Sequence, residues 1–184
     1  SFPTRRSSDL FKKKSSVGEQ ADTKIEESQV DFLIDRTDYF FDHALVFYCE
    51  ENDIPSEKLS QSDMQGISKR AAFHLSIFVA WLAKHDFLNP QSDGFNLKGI
   101  QKLKNEKITG TDYLFKHLDE KLYSTDISDI LLPFISDFYE DYMDFCYTVL
   151  VDGVSRTEFD WKIYHLVEDD IDEMFSQYQT HIRQ

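Results

Sequence analysis

The chain has 184 residues, enough for one domain with a substantial core and too few for two. Sixteen Phe, nine Tyr and two Trp supply the apolar volume, while six Gly and four Pro are too few for a turn-rich β-sandwich. A net charge of −14 argues against nucleic acid and against anionic membrane surfaces, because both are held by clustered Lys and Arg.

The charge is unevenly spread. Residues 37–184 hold 13 basic and 27 acidic side chains, and from Lys121 onward the numbers are 4 and 14. Such a surface is compatible with a basic protein partner, though plain solubility accounts for it more simply. Cys49 and Cys146 lie far apart in helix-like stretches, so free, buried thiols in a reducing, cytoplasmic compartment are expected, with a single bridge between them left open.

Residues 1–10, Ser-Phe-Pro-Thr-Arg-Arg-Ser-Ser-Asp-Leu, are similar to the translation of a widely used sequencing adapter. That implies a sequence assembled from environmental DNA whose true start lies elsewhere, so the segment is set aside from fold reasoning. Residues 11–36 are expected to be largely disordered or weakly helical. Lys12-Lys13-Lys14 open the stretch, but no apolar run of signal-peptide length follows them. The folded domain is then expected over residues 37–184.

Phe40, Phe41, Ala44, Leu45, Phe47 and Tyr48 recur at helical spacing and predict a helix over 37–51, closed by Pro55. Ser62 or Asp63 is placed to cap the next helix, expected over about 65–88. In residues 71–83 only His74 and Ser76 are polar, and a helix apolar on every face must be buried. Thirteen residues rise about 20 Å, short of a bilayer, so this is read as the central core helix of a soluble domain, ended by Asn89-Pro90.

Leu97, Ile100 and Leu103 predict a helix over 97–105. Thr109 with Asp112 three residues on forms a capping box for a helix that carries Tyr113 and Leu114 and stops near Asp119. Leu131, Ile135, Phe138, Tyr142, Phe145 and Val149 alternate spacings of four and three, one stripe of an amphipathic helix with Pro133 in its first turn. Asp137, Glu140, Asp141 and Asp144 fall opposite that stripe, with Tyr139 and Tyr147 beside them. Asp152-Gly153 reads as the stop, glycine serving as a left-handed cap. A last helix is expected over 157–181, with Trp161, Tyr164, Val167, Ile171, Met174, Phe175 and Tyr178 inside and Glu168, Asp169, Asp170, Asp172 and Glu173 outside. No repeat and no strand pattern competes. The fold class expected is all-α, a single-domain bundle of about five to seven helices around the buried central one.

Three pieces in order carry a resemblance: His74-x-x-x-Phe78-x-Ala80-Trp81; then Ile108-Thr109-Gly110-x-x-Tyr113-Leu114 with Asp119-x-Lys121-Leu122-x-x-x-Asp126-Ile127; then Phe138-Tyr139-x-x-Tyr142. With a weak extension from Val167 to Tyr178, residues 71–178 resemble an uncharacterised bacterial family, a domain of unknown function. Members usually carry Asp-Gly-Lys-Leu where this chain has Asp119-Glu120-Lys121-Leu122. The resemblance brings no activity with it. It associates the chain loosely with bacterial toxin systems.

His74 is the only titratable group in the apolar helix. It is either a base or ligand in a pocket with Trp81, or a histidine satisfied within the core. No metal is expected: none of the six histidines follows an acid by three residues, His-Glu-x-x-His and Cys-x-x-Cys are absent, and His165-x-x-Glu168 is an ordinary pair on an acidic helix. Nucleophile elbows and phosphate-binding glycine loops are absent too, so no cofactor and no catalytic residue is expected. A pair of distant carboxylates would leave no local signature. The favoured reading is a non-enzymatic acidic domain that binds a basic protein through Asp137, Tyr139, Glu140, Asp141, Asp144 and Tyr147, with an immunity or antitoxin role as its most concrete form. The alternatives are a ligand-binding protein or enzyme built on His74, and a structural oligomer subunit.

Overall fold

Phe73 to Ala83 are all buried, eleven consecutive residues with no wet side, and the other elements are arranged around them. The computed structural model describes residues 31–150 and 153–182. In chain order the elements are β1 (Leu33–Arg36), α1 (Phe41–Asn52), α2 (Gln61–Ala71), α3 (Phe73–Lys84), α4 (Leu97–Lys104), α5 (Gly110–His117), β2 (Lys121–Tyr123), α6 (Leu132–Val149) and α7 (Trp161–Ile182), with short 3-10 turns between some of them. Seven helices are thus present among the described residues, and the chain is predominantly helical as its composition requires. No described helix is long and apolar enough to cross a membrane.

The central helix is two helices rather than one. α2 and α3 meet at Ala72, whose φ of −81° and ψ of −3° stay right-handed, with ψ at the edge of the helical range. The cap of α2 is Ser60, not Ser62 or Asp63. Ser60 Oγ accepts the Asp63 amide at 3.2 Å and Asp63 returns to accept the Ser60 amide at 2.8 Å, so the acid serves as the third helical residue. α3 ends at Lys84, ahead of Asn89-Pro90. The Phe87 amide donates to the Leu82 carbonyl and the Asp86 amide to that of Ala83, while Asp86 takes a left-handed φ of 59°. This wrap usually employs glycine, which is why its position could not be read from the sequence.

The capping box of α5 forms as its spacing predicts, Thr109 Oγ1 accepting from the Asp112 amide at 3.0 Å. Gly110, the first residue of α5, lies against the α3 backbone, where a Cβ would come within 2.0 Å of the Ser76 carbonyl oxygen. The buried Ser76 and Thr111 hydroxyls meet beside it at 2.8 Å.

A short strand pair, which no local pattern announces, accompanies the helices. β1 and β2 run antiparallel, Arg36 opposite Lys121 and Asp35 opposite Leu122, with a bulge between Leu33 and Asp35. Strands of four and three residues are too short to declare a period of two. β1 and its pairing thus lie ahead of residue 37; residues 1–30, including the segment similar to adapter sequence, lie outside the described residues. Before β2, Asp119 and Glu120 both have left-handed φ, 50° and 59°. The second is where the resemblance expects glycine, and Glu120 occupies it while bonding Thr37 twice: its carbonyl accepts the Thr37 amide at 3.1 Å and its carboxylate the Thr37 hydroxyl at 3.0 Å.

α6 carries Pro133 in its first turn as predicted. Its buried residues are Phe134, Ile135, Tyr142 and Cys146, whereas Val149 is 56% exposed. A strict seven-residue repeat drifts about 20° per heptad on a straight helix, so the expected stripe has rotated off the core by the last turn. Gly153 does not have positive φ; Ser155 does, at 62°. The glycine is needed because a Cβ there would lie 2.7 Å from the Phe73 ring. α7 begins at Trp161 and buries Tyr164, Val167, Ile171 and Tyr178.

Candidate functional site

His74, from the second residue of α3, has no exposed surface. Its Nε2 lies 2.9 Å from Asp35 Oδ2 of β1, and the Tyr139 hydroxyl of α6 donates to that same oxygen at 2.6 Å. Asp35 Oδ1 accepts the Arg36 amide at 2.7 Å. The Tyr142 hydroxyl donates to the His74 carbonyl at 2.7 Å, and the Phe40 ring covers the imidazole at 4.1 Å between centroids. Strand, central helix and α6 are thus fastened at one carboxylate that is only 5% exposed. His74 Nδ1 has no partner among the described residues, and with Nε2 on a carboxylate the hydrogen bonding assigns the ring proton to Nε2.

Around this group the aromatic rings form a continuous wall. Phe78 lies 5.2 Å from Tyr139 and 5.1 Å from Tyr142, centroid to centroid. Burial first, then the Asp35 carboxylate, holds the Tyr139 phenol well above its usual range, so it stays a donor. Burial does the same to Tyr142. It also pushes the Cys146 thiol up to about 12, opposed only in part by the Tyr142 hydrogen bond.

Trp81 is fully buried as well, and the structure does not bring it into hydrogen-bond contact with His74. Its Nε1 donates to Asp172 of α7 at 2.7 Å, and His85 Nε2 lies 3.0 Å from the same Asp172 oxygen. Glu168 faces His165 Nδ1 at 2.7 Å, so two of the acids read as decoration on α7 are internal partners. Nε2 of His165 approaches Glu106 at 3.1 Å, and Glu106 also accepts from Lys84 at 2.6 Å. Carboxylates at both ring nitrogens raise the His165 pKa, Glu168 contributing most. No group of three or more metal-ligating side chains occurs among the described residues. Cys49 and Cys146 are free; Cys146 is buried and Cys49 half-buried.

On α6 the four acids lie on the outer side, whereas Tyr139 does not. Asp137, Glu140, Asp141 and Asp144 are exposed and have no ion pair among the described residues. Tyr147 is 49% exposed at the edge of this face. Tyr139 does not join it: three residues before Tyr142, it shares the inward side, and its hydroxyl is spent on Asp35. Asp35 itself was missed by sequence reasoning, because it lies in a stretch with no clear period and its partners are 39 and 104 residues away.

The motifs of the resemblance converge in space. His74, Phe78, Tyr139 and Tyr142 build the buried cluster; Gly110 seats α5 on α3; Asp126 accepts the Tyr123 amide at 2.9 Å and the Ser92 hydroxyl. Trp161 Nε1 donates to the Ile108 carbonyl at 3.2 Å. No curated protein and no solved structure gives a significant match to the chain. A family profile described as Domain of unknown function (DUF7832) matches residues 33–158, beginning upstream of His74 at β1 and stopping before α7. The chain, matched over more than half its length, belongs to that family of unknown function.

Proposed function

We propose that the chain is a non-enzymatic interaction domain whose α6 surface receives a basic protein. The observation that carries this reading is the row Asp137, Glu140, Asp141 and Asp144, four exposed carboxylates with no cation paired to them among the described residues. Carboxylates left unpaired on a rigid helix attract a basic partner at long range and fix its orientation on arrival. Tyr147 at the edge offers the amphipathic contact typical of interfaces. Neutralisation of a basic toxin, such as a nuclease, by an immunity protein is the most concrete form of this function.

The rival reading places chemistry at His74. Its ring has no exposed surface and already engages Asp35, so a substrate would have to displace β1 or α6 to reach it, and Trp81 is equally enclosed. This weighs toward a structural role for the pair. The test of the favoured reading is the triple charge reversal Glu140→Lys, Asp141→Lys, Asp144→Lys, assayed against the basic product of a neighbouring gene. Affinity should fall about a hundredfold or more, chiefly through a slower association rate at low salt, with helicity unchanged. Equal affinity of the two proteins would remove the α6 face from consideration.

A further inference from the structure

Basic side chains are scarce after residue 36, and nearly half of them fall in one stretch of the sequence. Of the 13 Lys and Arg in residues 37–184, six lie in residues 98–121: Lys98, Lys102, Lys104, Lys107, Lys116 and Lys121. Lys104 and Lys121 are neutralised by Asp86 and Asp119 at 2.6 and 3.0 Å. Lys98, Lys102 and Lys116 have no ion pair among the described residues, although acidic side chains outnumber basic ones 34 to 20 in the chain. These three converge on a cleft of about 130 Å³ between α4 and α5.

Lys98 and Lys102 are one helical turn apart, an arrangement in which like charges repel, and Lys116 faces the same cleft from α5. The cleft has one acid, Asp112, and its Oδ2 is already occupied by the Thr109 amide at 2.8 Å. His117 also lines the cleft, and its ring nitrogens have no hydrogen-bond partner among the described residues. Gly99 leaves room for that ring, since a Cβ there would sit 3.1 Å from His117 Nε2. Burial, then the Lys116 charge, lowers the His117 pKa, so near neutral pH the ring is uncharged and offers one N–H.

We propose that this cleft binds a terminal phosphate group, free or as a monoester, between Lys98, Lys102, Lys116 and His117. Three ammonium groups and an imidazole N–H, approaching from two helices, suit a tetrahedral oxyanion better than a planar carboxylate with two oxygens. The volume is that of a small ion or the end of a larger ligand, well under the 300 Å³ or so of a drug-sized site. This inference is independent of the acidic face, which lies on a different helix.

The experiment titrates the full chain with inorganic phosphate, with glycerol 1-phosphate, and with sodium chloride at equal ionic strength, by calorimetry and thermal unfolding. Saturable binding of the ion or the ester, a rise in melting temperature that chloride does not produce, and an upward move of the His117 titration by NMR are expected. The stronger of the two ligands identifies the natural source as free phosphate or an ester. Lys102→Gln and Lys116→Gln should each weaken binding about tenfold, while Lys162→Gln, on α7, changes nothing. Far-UV circular dichroism of each variant separates lost binding from lost fold. Phosphate behaving as chloride does, or binding that survives the Lys102→Gln/Lys116→Gln double change, overturns the proposal.

Discussion

Asp35 and His74, 39 positions apart, meet at 2.9 Å in the interior and tie the only described strand pair to the central helix. Asp35→Ala strands the imidazole and the Tyr139 hydroxyl at once and is expected to cost about 3 kcal/mol, because truncating one member of a buried polar group leaves the others unsatisfied. Tyr139→Phe should cost about 1 kcal/mol, one hydrogen bond with the ring retained. Urea denaturation of the three proteins checks this. Equal small losses for both variants would mean that the carboxylate is not the fastening point.

Gly110 is required by proximity, its φ being ordinary. A Cβ placed 2.0 Å from the Ser76 carbonyl forces two helix backbones apart, so Gly110→Ala should destabilise by about 3 kcal/mol despite alanine's better helix propensity. The contrast is Gly66→Ala in α2, where a Cβ meets nothing nearer than 3.7 Å and should be neutral or stabilising. Thermal unfolding that ranks the two the other way would refute the packing argument.

The thiols should separate by environment. Cys146 is buried with its pKa raised to about 12, so it stays protonated and shielded at pH 8, whereas Cys49 is half-buried. Titration with a thiol reagent is expected to find one fast-reacting group per native chain and two in denaturant. Two fast groups in the native protein would contradict the enclosure of Cys146.

His165 should titrate above its ordinary 6.5 by NMR, and Glu168→Gln should lower that midpoint more than Glu106→Gln does. A folded-state pKa above the unfolded value favours the folded state fully below the unfolded pKa, and the contribution disappears as pH rises through the raised value. Because the side chain is 42% exposed, the midpoint is a better readout than stability. A midpoint at or below 6.5 would mean that the two carboxylates do not hold the ring in solution.

Period and capping chemistry are local, and those parts of the fold could be read from residues alone. The buried α3 follows from eleven residues without a charge, the α5 start from Thr109 and Asp112, and the acidic outer side of α6 from the spacing of its carboxylates. The left-handed Asp86 and Glu120 carry no such sign, because the residues found there are not those the geometry prefers. Which aromatic faces in and which acid is free was likewise undecided: Tyr139 turned to Asp35, and Asp172 and Glu168 to Trp81 and His165.

The amino-acid order by itself determined that a charge-free segment must be sheathed by amphipathic helices with a negative exterior, since desolvation permits no other placement. Only the tertiary structure decided where that exterior is interrupted. It brought three lysines and a histidine from two helices to one cleft, and an aspartate, a histidine and a tyrosine to one buried point. Contacts across tens of residues depend on how helices cross, and no local spacing encodes that.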